Sequence, residues 1–269
     1  MTFAAIFAMA VFAGVAGSMV GVGGGIVVVP MLTLAFGAPV KVAIATSLIS
    51  VIATSSAAQT VFVTKGLTNL RLGMSLEVMT TLGAIAGGVT AVLVSGRLLE
   101  GVFAVVLVYV AYAMNRRGGD VPPERTGVLE AAFVDPASGR RVEYGVRRFR
   151  LGAFLSFFAG NISGLIGLGG GAFKVPIMNL LMGVPLKATI ATSNLMIGVT
   201  AATSAAIFYG RGYVDPYWAV PAALGILAGA RVGPRLAIRL SAKVLVVVFE
   251  VVLVIFGVLM LLRALGVGV

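Results

Sequence analysis

Two glycine clusters are the residues of this chain best suited to binding chemistry: Gly21-Val22-Gly23-Gly24-Gly25 ahead of Pro30, and Gly167-Leu168-Gly169-Gly170-Gly171 ahead of Pro176. Glycine leaves the peptide N–H uncovered, a break in a helix leaves such donors without a helical acceptor, and the helical piece that follows carries partial positive charge at its start. Amide donors converging at Gly21, Gly23, Gly24 and Gly25, and again at Gly167, Gly169, Gly170 and Gly171, suit a small anion and require no arginine fork. The competing use of such residues is close packing between helices, and the sequence leaves both readings open.

Further polar groups follow each cluster. Thr46-Ser47 and Thr192-Ser193-Asn194 come just after Pro39-x-Lys41 and Pro185-x-Lys187, where a helix is expected to begin. Their hydroxyl and amide groups can complete an anion's shell or simply cap the helix. Lys41 and Lys187 read as interfacial anchors. Lys174 is different, since it lies inside the second glycine-proline element where the first has Val28; an ammonium there needs an anion or a carboxylate to neutralise it. Glu77 and Glu250 fall within apolar runs and are candidates for coupling transport to protons, with ion pairing or a helix-end position as the alternatives. No catalytic residues are expected: there is no Ser-His-Asp constellation, no paired carboxylates at a set spacing, and no strand ahead of Gly21-x-Gly-Gly-Gly to make a dinucleotide site.

These residues sit in an unusual medium. The 269 residues are 59% hydrophobic and only 11% charged, against about 25% charged for an ordinary soluble domain. Mean hydropathy is +1.10. With no Cys and no His, disulfides and the usual ligands of zinc, nickel or copper are missing, so neither a metal nor a cofactor is expected. The composition demands an all-α polytopic membrane protein. Runs 42–63, 73–95, 98–115, 188–209, 215–234 and 243–263 each match one span. Runs 3–36 and 149–182 are too long: a straight helix of that length would reach about 51 Å, against a hydrocarbon core of about 30 Å. Each must break, and the glycine clusters mark the places. The first run lacks the basic flank of a signal peptide and reads as a retained helix.

The chain also repeats itself. Shifted by 146, residues 12–66 align with 158–212 without a gap, with 20 identical pairs in 55 positions; Gly, Pro, Lys, Thr and Ser fall in register. A looser match continues beyond residue 70 with a four-residue slip that sets Ala86-Gly87 against Ala228-Gly229. We expect two homologous repeats, 1–115 and 150–269, each of four to five helical segments with one glycine-proline break and together making about eight full spans. Residues 116–149 join them as a charged linker. Its stretch 128–149 alternates around Asp135-Pro136 and suits either a small β-hairpin or an unstructured connection. The net charge of +11 needs no nucleic acid, because Lys and Arg are expected in cytoplasmic loops. The linker is then cytoplasmic whether each half crosses four or five times. Charge asymmetry favours five and the shortness of 26–36 favours four, so parallel and inverted repeats both stay open.

At Gly21 to Pro30, Gly167 to Pro176 and the Gly-x-Pro-x-Lys-x-x-x-Ala-Thr-Ser stretches that follow, the chain resembles the TauE/SafE family, the sulfite exporter or toxic-anion-efflux family of bacterial and archaeal membrane proteins. The resemblance spans all but the linker. It implies a multi-pass plasma-membrane permease for small anions, often sulfur-containing ones such as sulfite or sulfonates. A permease for another organic anion, or an anion channel, is the alternative. The expected partners are the substrate anion and the bilayer, with monomer and homodimer both open.

Overall fold

In the computed structural model, residues 2–115, 127–136, 138–239 and 254–263 are described. Helix α1 (Thr2–Val20) gives way at the first glycine cluster to α2 (Gly25–Pro30), which widens into a π-helical turn over Met31–Ala35. Long helices α3 (Val40–Thr64), α4 (Leu70–Leu93) and α5 (Gly96–Asn115) follow. After the linker strands β1 (Val128–Val134) and β2 (Arg141–Val146), the order recurs as α6 (Phe149–Ile166), α7 (Gly171–Pro176) with a π turn over Ile177–Leu181, α8 (Leu186–Gly210) and α9 (Pro216–Arg239). A last described helix, α10, covers Val254–Arg263. The chain is thus an all-α polytopic membrane protein: α1, α3, α4, α6 and α8 have the length and apolarity to cross a bilayer. Glu250 lies outside the described residues.

The two long apolar runs break at the glycines. The prolines act one step later than expected from the sequence. Pro30 and Pro176 sit inside the second helical piece, at its junction with the π turn. Proline removes a donor and crowds the preceding turn, and a wider turn is a common accommodation. Each piece then ends on the same backbone bond, Ala38 N–H to Leu32 O and Val184 N–H to Met178 O, both 3.0 Å.

Helices α3 and α8 are the most enclosed spans and pack against each other at the centre. Around them, α1 lies along α9 and α6 lies along α4, so each half embraces a helix of the other. The α4 sequence explains its orientation. Met74, Val78, Leu82, Ile85 and Val89, three or four residues apart, are exposed as a lipid-facing stripe, while Gly73, Leu76, Thr80, Gly83, Ala84 and Gly87 are buried. The buried glycines let backbones touch: a Cβ on Gly83 or Gly87 would fall 1.9 Å from the carbonyl oxygen of Phe157 or Asn161 on α6. On α9, Gly225 and Gly229 meet the carbonyls of Phe7 and Val11 on α1 in the same way, at 2.4 and 2.1 Å. In lipid, where no hydrophobic force drives one helix onto another, close van der Waals packing of this kind is one of the sources of helix association.

The linker's alternating stretch forms an antiparallel hairpin, with Ala131 opposite Tyr144 and Val134 opposite Arg141. It docks on the helices. Phe133, Tyr144 and Val146 pack with Phe62, Leu67, Leu72, Met178 and Met182, and Lys187 at the start of α8 pairs with Asp135. Asn69, whose side chain caps α4 by accepting from Leu72 N–H, also donates to the Tyr144 hydroxyl at 3.2 Å. Burial pushes the Tyr144 phenol above its ordinary pKa, with the Asn69 hydrogen bond working against that shift.

Two glycines should separate packing from propensity in a thermal unfolding measurement in detergent. Gly87→Ala forces α4 away from α6 and should destabilise by about 1–3 kcal/mol. Gly101→Ala, in helix α5 with nothing within 4 Å of the added methyl, should be neutral or stabilise by up to about 1 kcal/mol.

Candidate functional site

The two helix breaks meet inside the protein, and they are tied to each other's repeat by one contact made twice. The Ser47 hydroxyl on α3 donates to Gly167 O at 2.7 Å, and the Ser193 hydroxyl on α8, 146 residues on, donates to Gly21 O at 2.6 Å. Ser47 and Ser193 lie about two turns inside their helices, which start at Val40 and Leu186 with Pro39 and Pro185 as the capping residues. The expectation that Thr46-Ser47 and Thr192-Ser193-Asn194 open a helix is therefore corrected: they cannot cap it, and the serines instead satisfy carbonyls that the breaks leave free. Close packing accompanies the bonds. A Cβ on Gly25 would fall 2.8 Å from Gly167 O, and one on Gly171 would fall 2.3 Å from Gly21 O. Residues 21–25 and 167–171 are all buried.

Beyond these shared ties the breaks differ, and one residue accounts for the difference. In the first, Val22 and Gly23 fold back so that both amides donate to Gly17 O at 3.1 Å, and Gly24 N–H reaches the Thr54 hydroxyl at 3.4 Å. That fold needs Gly17, since a Cβ there would lie 2.3–2.4 Å from the backbone of Gly23 and Gly24. The corresponding residue of the second half is Ser163. Its Cβ forbids the same fold, and Gly170 takes the left-handed conformation at φ +81° where Gly24 is right-handed at φ −66°. Among the described residues, the amides of Leu168, Gly169 and Gly170 then have no protein acceptor where their counterparts in the first break have one, while those of Gly171 and Ala172, like those of Gly25 and Ile26, are open in both.

A buried charged cluster lies beside this second break. The Lys174 ammonium on α7 donates to Glu77 Oε2 on α4 at 3.1 Å and to the Thr200 hydroxyl on α8 at 2.6 Å; Thr200 Oγ1 is 2.5 Å from Glu77 Oε1. Lys174 is 1% exposed, Glu77 3% and Thr200 0%. Three different helices supply the cluster, so it forms only in the folded chain. The face of Gly170 that a side chain would fill is bounded by Lys174 Cε at 3.2 Å and Ser163 Cβ at 3.4 Å. Ser163 Oγ is buried without a hydrogen-bond partner, as are Thr46 Oγ1, Ser50 Oγ and Asn194 Oδ1. Buried polar atoms without partners are uncommon in folded proteins, and here the Ser163 side chain and the Lys174 side chain both border Gly170, one of the residues with an open amide. The arrangement can hold an anion by charge-assisted hydrogen bonds.

The remaining candidates fall elsewhere. The Thr192 hydroxyl accepts from Asn69 N–H at 3.0 Å, and Asn194 Nδ2 donates to Ile190 O and Ser18 O. Lys41 donates to Val92 O at 2.8 Å, in the last turn of α4, and lies over the Tyr213 ring. This is a favourable place for a cation, at the negative end of a helix. Lys187 pairs with the hairpin. Among the described residues no three His, Cys, Asp or Glu side chains gather in a metal-binding group. A cleft of about 450 Å³ on the hairpin, lined by Glu130, Arg141, Glu143 and Tyr144, shares no residue with the breaks.

Sequence reasoning singled out Lys174 and Glu77 but treated them apart, and it missed Ser163 and Thr200. The repeat held a signal for Ser163, because it stands where the first half has Gly17. Thr200 is the counterpart of Thr54, and its role became visible only through the two helices that meet it.

Comparison with known proteins gives a consistent result. A family model described as Sulfite exporter TauE/SafE matches residues 6–260. The chain is 26% identical over 266 residues to the probable membrane transporter protein YunE of Bacillus subtilis, covering 96% of each. It is 27% identical over 270 residues to a probable membrane transporter protein of Methanocaldococcus jannaschii, covering 93% of this chain and 91% of the other. A probable membrane transporter protein of Xylella fastidiosa is 26% identical over 233 residues, covering 86% of this chain and 83% of the other. No solved structure matches.

The cluster makes a stability prediction. Lys174→Met leaves a buried carboxylate unpaired and should destabilise by about 3–5 kcal/mol at neutral pH, whereas Lys174→Met with Glu77→Gln should regain most of that loss. A double-mutant cycle read by thermal unfolding checks this, and additive single losses would mean that the pair carries no coupling.

Proposed function

The chain belongs to the sulfite exporter TauE/SafE family and is a membrane transporter, and from that premise we propose that it is a secondary transporter of small, sulfur-containing monoanions such as hydrogen sulfite or sulfonates. The observation that carries this reading is the Lys174 ammonium, buried beside Gly170, the unpartnered Ser163 hydroxyl and the open amides of the second break. A sulfonate or hydrogen sulfite presents several acceptor oxygens on one sulfur with one negative charge. Donors from a bent backbone, a hydroxyl and an ammonium match that geometry, and none of them is an acceptor only.

Closure of both breaks from solvent fits the occluded stage of an alternating-access cycle, in which the halves rock about a fixed site between them. The reciprocal Ser47–Gly167 and Ser193–Gly21 bonds would hold that stage. We further propose that the chain resides in the plasma membrane with its basic linker and docked hairpin in the cytoplasm, since the linker concentrates positive charge. Among the candidates, Gly169, Gly170, Gly171 and Lys174 form the anion shell in this reading, while Gly167, whose N–H donates to Ser163 O and whose carbonyl takes the Ser47 hydroxyl, helps to brace it. Gly21, Gly23, Gly24 and Gly25 with Ser47 and Ser193 brace it, and Thr46 and Asn194 offer unpartnered atoms toward the interior.

Reconstituted into liposomes, the protein should take up labelled sulfite or methanesulfonate saturably, with stimulation by the same anion on the opposite side; unsaturable current would instead indicate a channel. Lys174→Gln should weaken anion binding about tenfold or more, the size of one lost charge-assisted hydrogen bond. Lys41→Gln, which removes the contacts to Val92 O and the Tyr213 ring away from the breaks, should bind normally, and an equal loss in both would contradict the assignment of Lys174.

A further inference from the structure

The Lys174 ammonium already has a negative partner, and that partner shapes what an incoming anion must do. We propose that Glu77 is an exchangeable counter-ion: a monoanion entering the second break takes over Lys174, Glu77 binds one proton as it releases the ammonium, and one proton therefore travels with each anion. The inference rests on the reading of Lys174 as a substrate contact.

Charge balance gives the first argument. Lys174 and Glu77 together are neutral, and both are almost completely buried. A monoanion added to that pair would leave one uncompensated negative charge in a dry interior, where an unpaired ion is very costly. A carboxylate relieves like-charge crowding by taking a proton. The balance is then complete: the ammonium keeps its three protons, the solvent supplies one proton to a Glu77 oxygen, and the loaded site is again neutral. No electron moves and no covalent bond other than O–H forms.

Among the described residues no other charge is placed to do this. On α4 the remaining ionic side chain is Arg71, in the first turn and exposed; α6 carries Arg150, exposed in its first turn; α8 carries Lys187, held by Asp135. From α5, which touches α7, Tyr109 stacks on Phe173 at 5.7 Å, while Arg97 and Glu100 lie in its first two turns and Glu100 pairs with Arg263. Among the described residues, Lys174 is thus the single ion facing Glu77.

The hydrogen bonds provide for both protonation states. Thr200 accepts from Lys174 and lies 2.5 Å from Glu77 Oε1, but it is also 3.1 Å from Met196 O. Its proton can point at the ionised carboxylate or turn to the helix carbonyl. Once Thr200 turns, its oxygen can accept from a protonated Glu77, and Thr81 Oγ1, 3.4 Å from Glu77 Oε1, is a second acceptor. Each state is therefore satisfied without moving a helix.

The first repeat serves as an internal control. There the counterpart of Thr200 is Thr54, which donates to Ser50 O and accepts from Gly24 N–H; the counterpart of Lys174 is Val28, and that of Glu77, allowing for the four-residue slip, is Ala219. The ionic exchange is built at one break alone, by Lys174 of the second half and Glu77 of the first, which sets one proton per anion.

The test uses methanesulfonate, which stays ionised across the working range, and the full-length protein in detergent. Calorimetric titration in buffers of different ionisation enthalpy should show about one proton taken up per anion bound, with affinity falling about tenfold per pH unit wherever that uptake is seen. Glu77→Gln should bind with no proton uptake and a flat pH profile. A measurement on the unaltered protein guards against a variant that does not fold: infrared difference spectra should show a protonated-carboxyl C=O band appearing when the anion binds. Binding by the unaltered protein without proton uptake and without that band overturns the exchange while leaving the transporter reading intact, as does proton uptake that persists in Glu77→Gln. Absence of any methanesulfonate binding removes the anion site and this inference together.

Discussion

A peptide group in the bilayer interior must find a partner within the protein, and every feature of this molecule's centre answers to that constraint. Interrupting a helix there frees carbonyls on one side and amides on the other. The carbonyls are met symmetrically: Gly167 O takes the hydroxyl of Ser47 and Gly21 O takes that of Ser193. Because each serine belongs to the opposite half, satisfying the backbone also fastens the halves together. The glycines make this reach feasible, since at Gly25 and Gly171 a methyl group would collide with the carbonyl being satisfied in the other break. Close packing and backbone exposure, which seemed rival uses of the glycines, are two consequences of one arrangement.

The amides are met asymmetrically, and the proposed function rests on that. Gly17 lets the first break turn back so that the amides of Val22, Gly23 and Gly24 are engaged, while their counterparts Leu168, Gly169 and Gly170 stay open beside Ser163. Next to the unfinished break the chain places a lysine where its counterpart is valine, and balances it with a glutamate from a third helix. In the reading proposed above, the differences Gly17/Ser163 and Val28/Lys174 make the first break a structural brace and leave the second to serve as the site. A symmetric pair of sites would double the buried charge at a cost the bilayer does not favour.

Much of the architecture was legible in the residues. Apolar run length and composition marked helices α3, α4, α8 and the two interrupted runs, because in lipid the hydrogen-bonding constraint leaves little else for such a segment to be. The position of each interruption followed from Gly21–Gly25 and Gly167–Gly171. What the sequence concealed was partnership between distant segments. Thr46-Ser47 and Thr192-Ser193 looked like capping residues because they follow Pro39 and Pro185, yet those prolines start their helices at once and carry the hydroxyls inward by two turns. Lys174 advertised a need for a counter-charge, but Glu77 lies 97 residues away, and only the packing of α4 and α8 around α7 brings it and Thr200 to the ammonium. The hairpin's docking through Asp135 and Tyr144 was hidden for the same reason.

The central claim is that the second break, with Lys174 at its side, is where a small anion sits. An anomalous-scattering map of the protein with bromomethanesulfonate tests it most directly. The account predicts a bromine peak next to Gly170, with the sulfonate oxygens within hydrogen-bonding distance of Lys174 Nζ and the amides of Gly169 to Gly171. A peak at the first break, or on the hairpin cleft with none near Lys174, would contradict it.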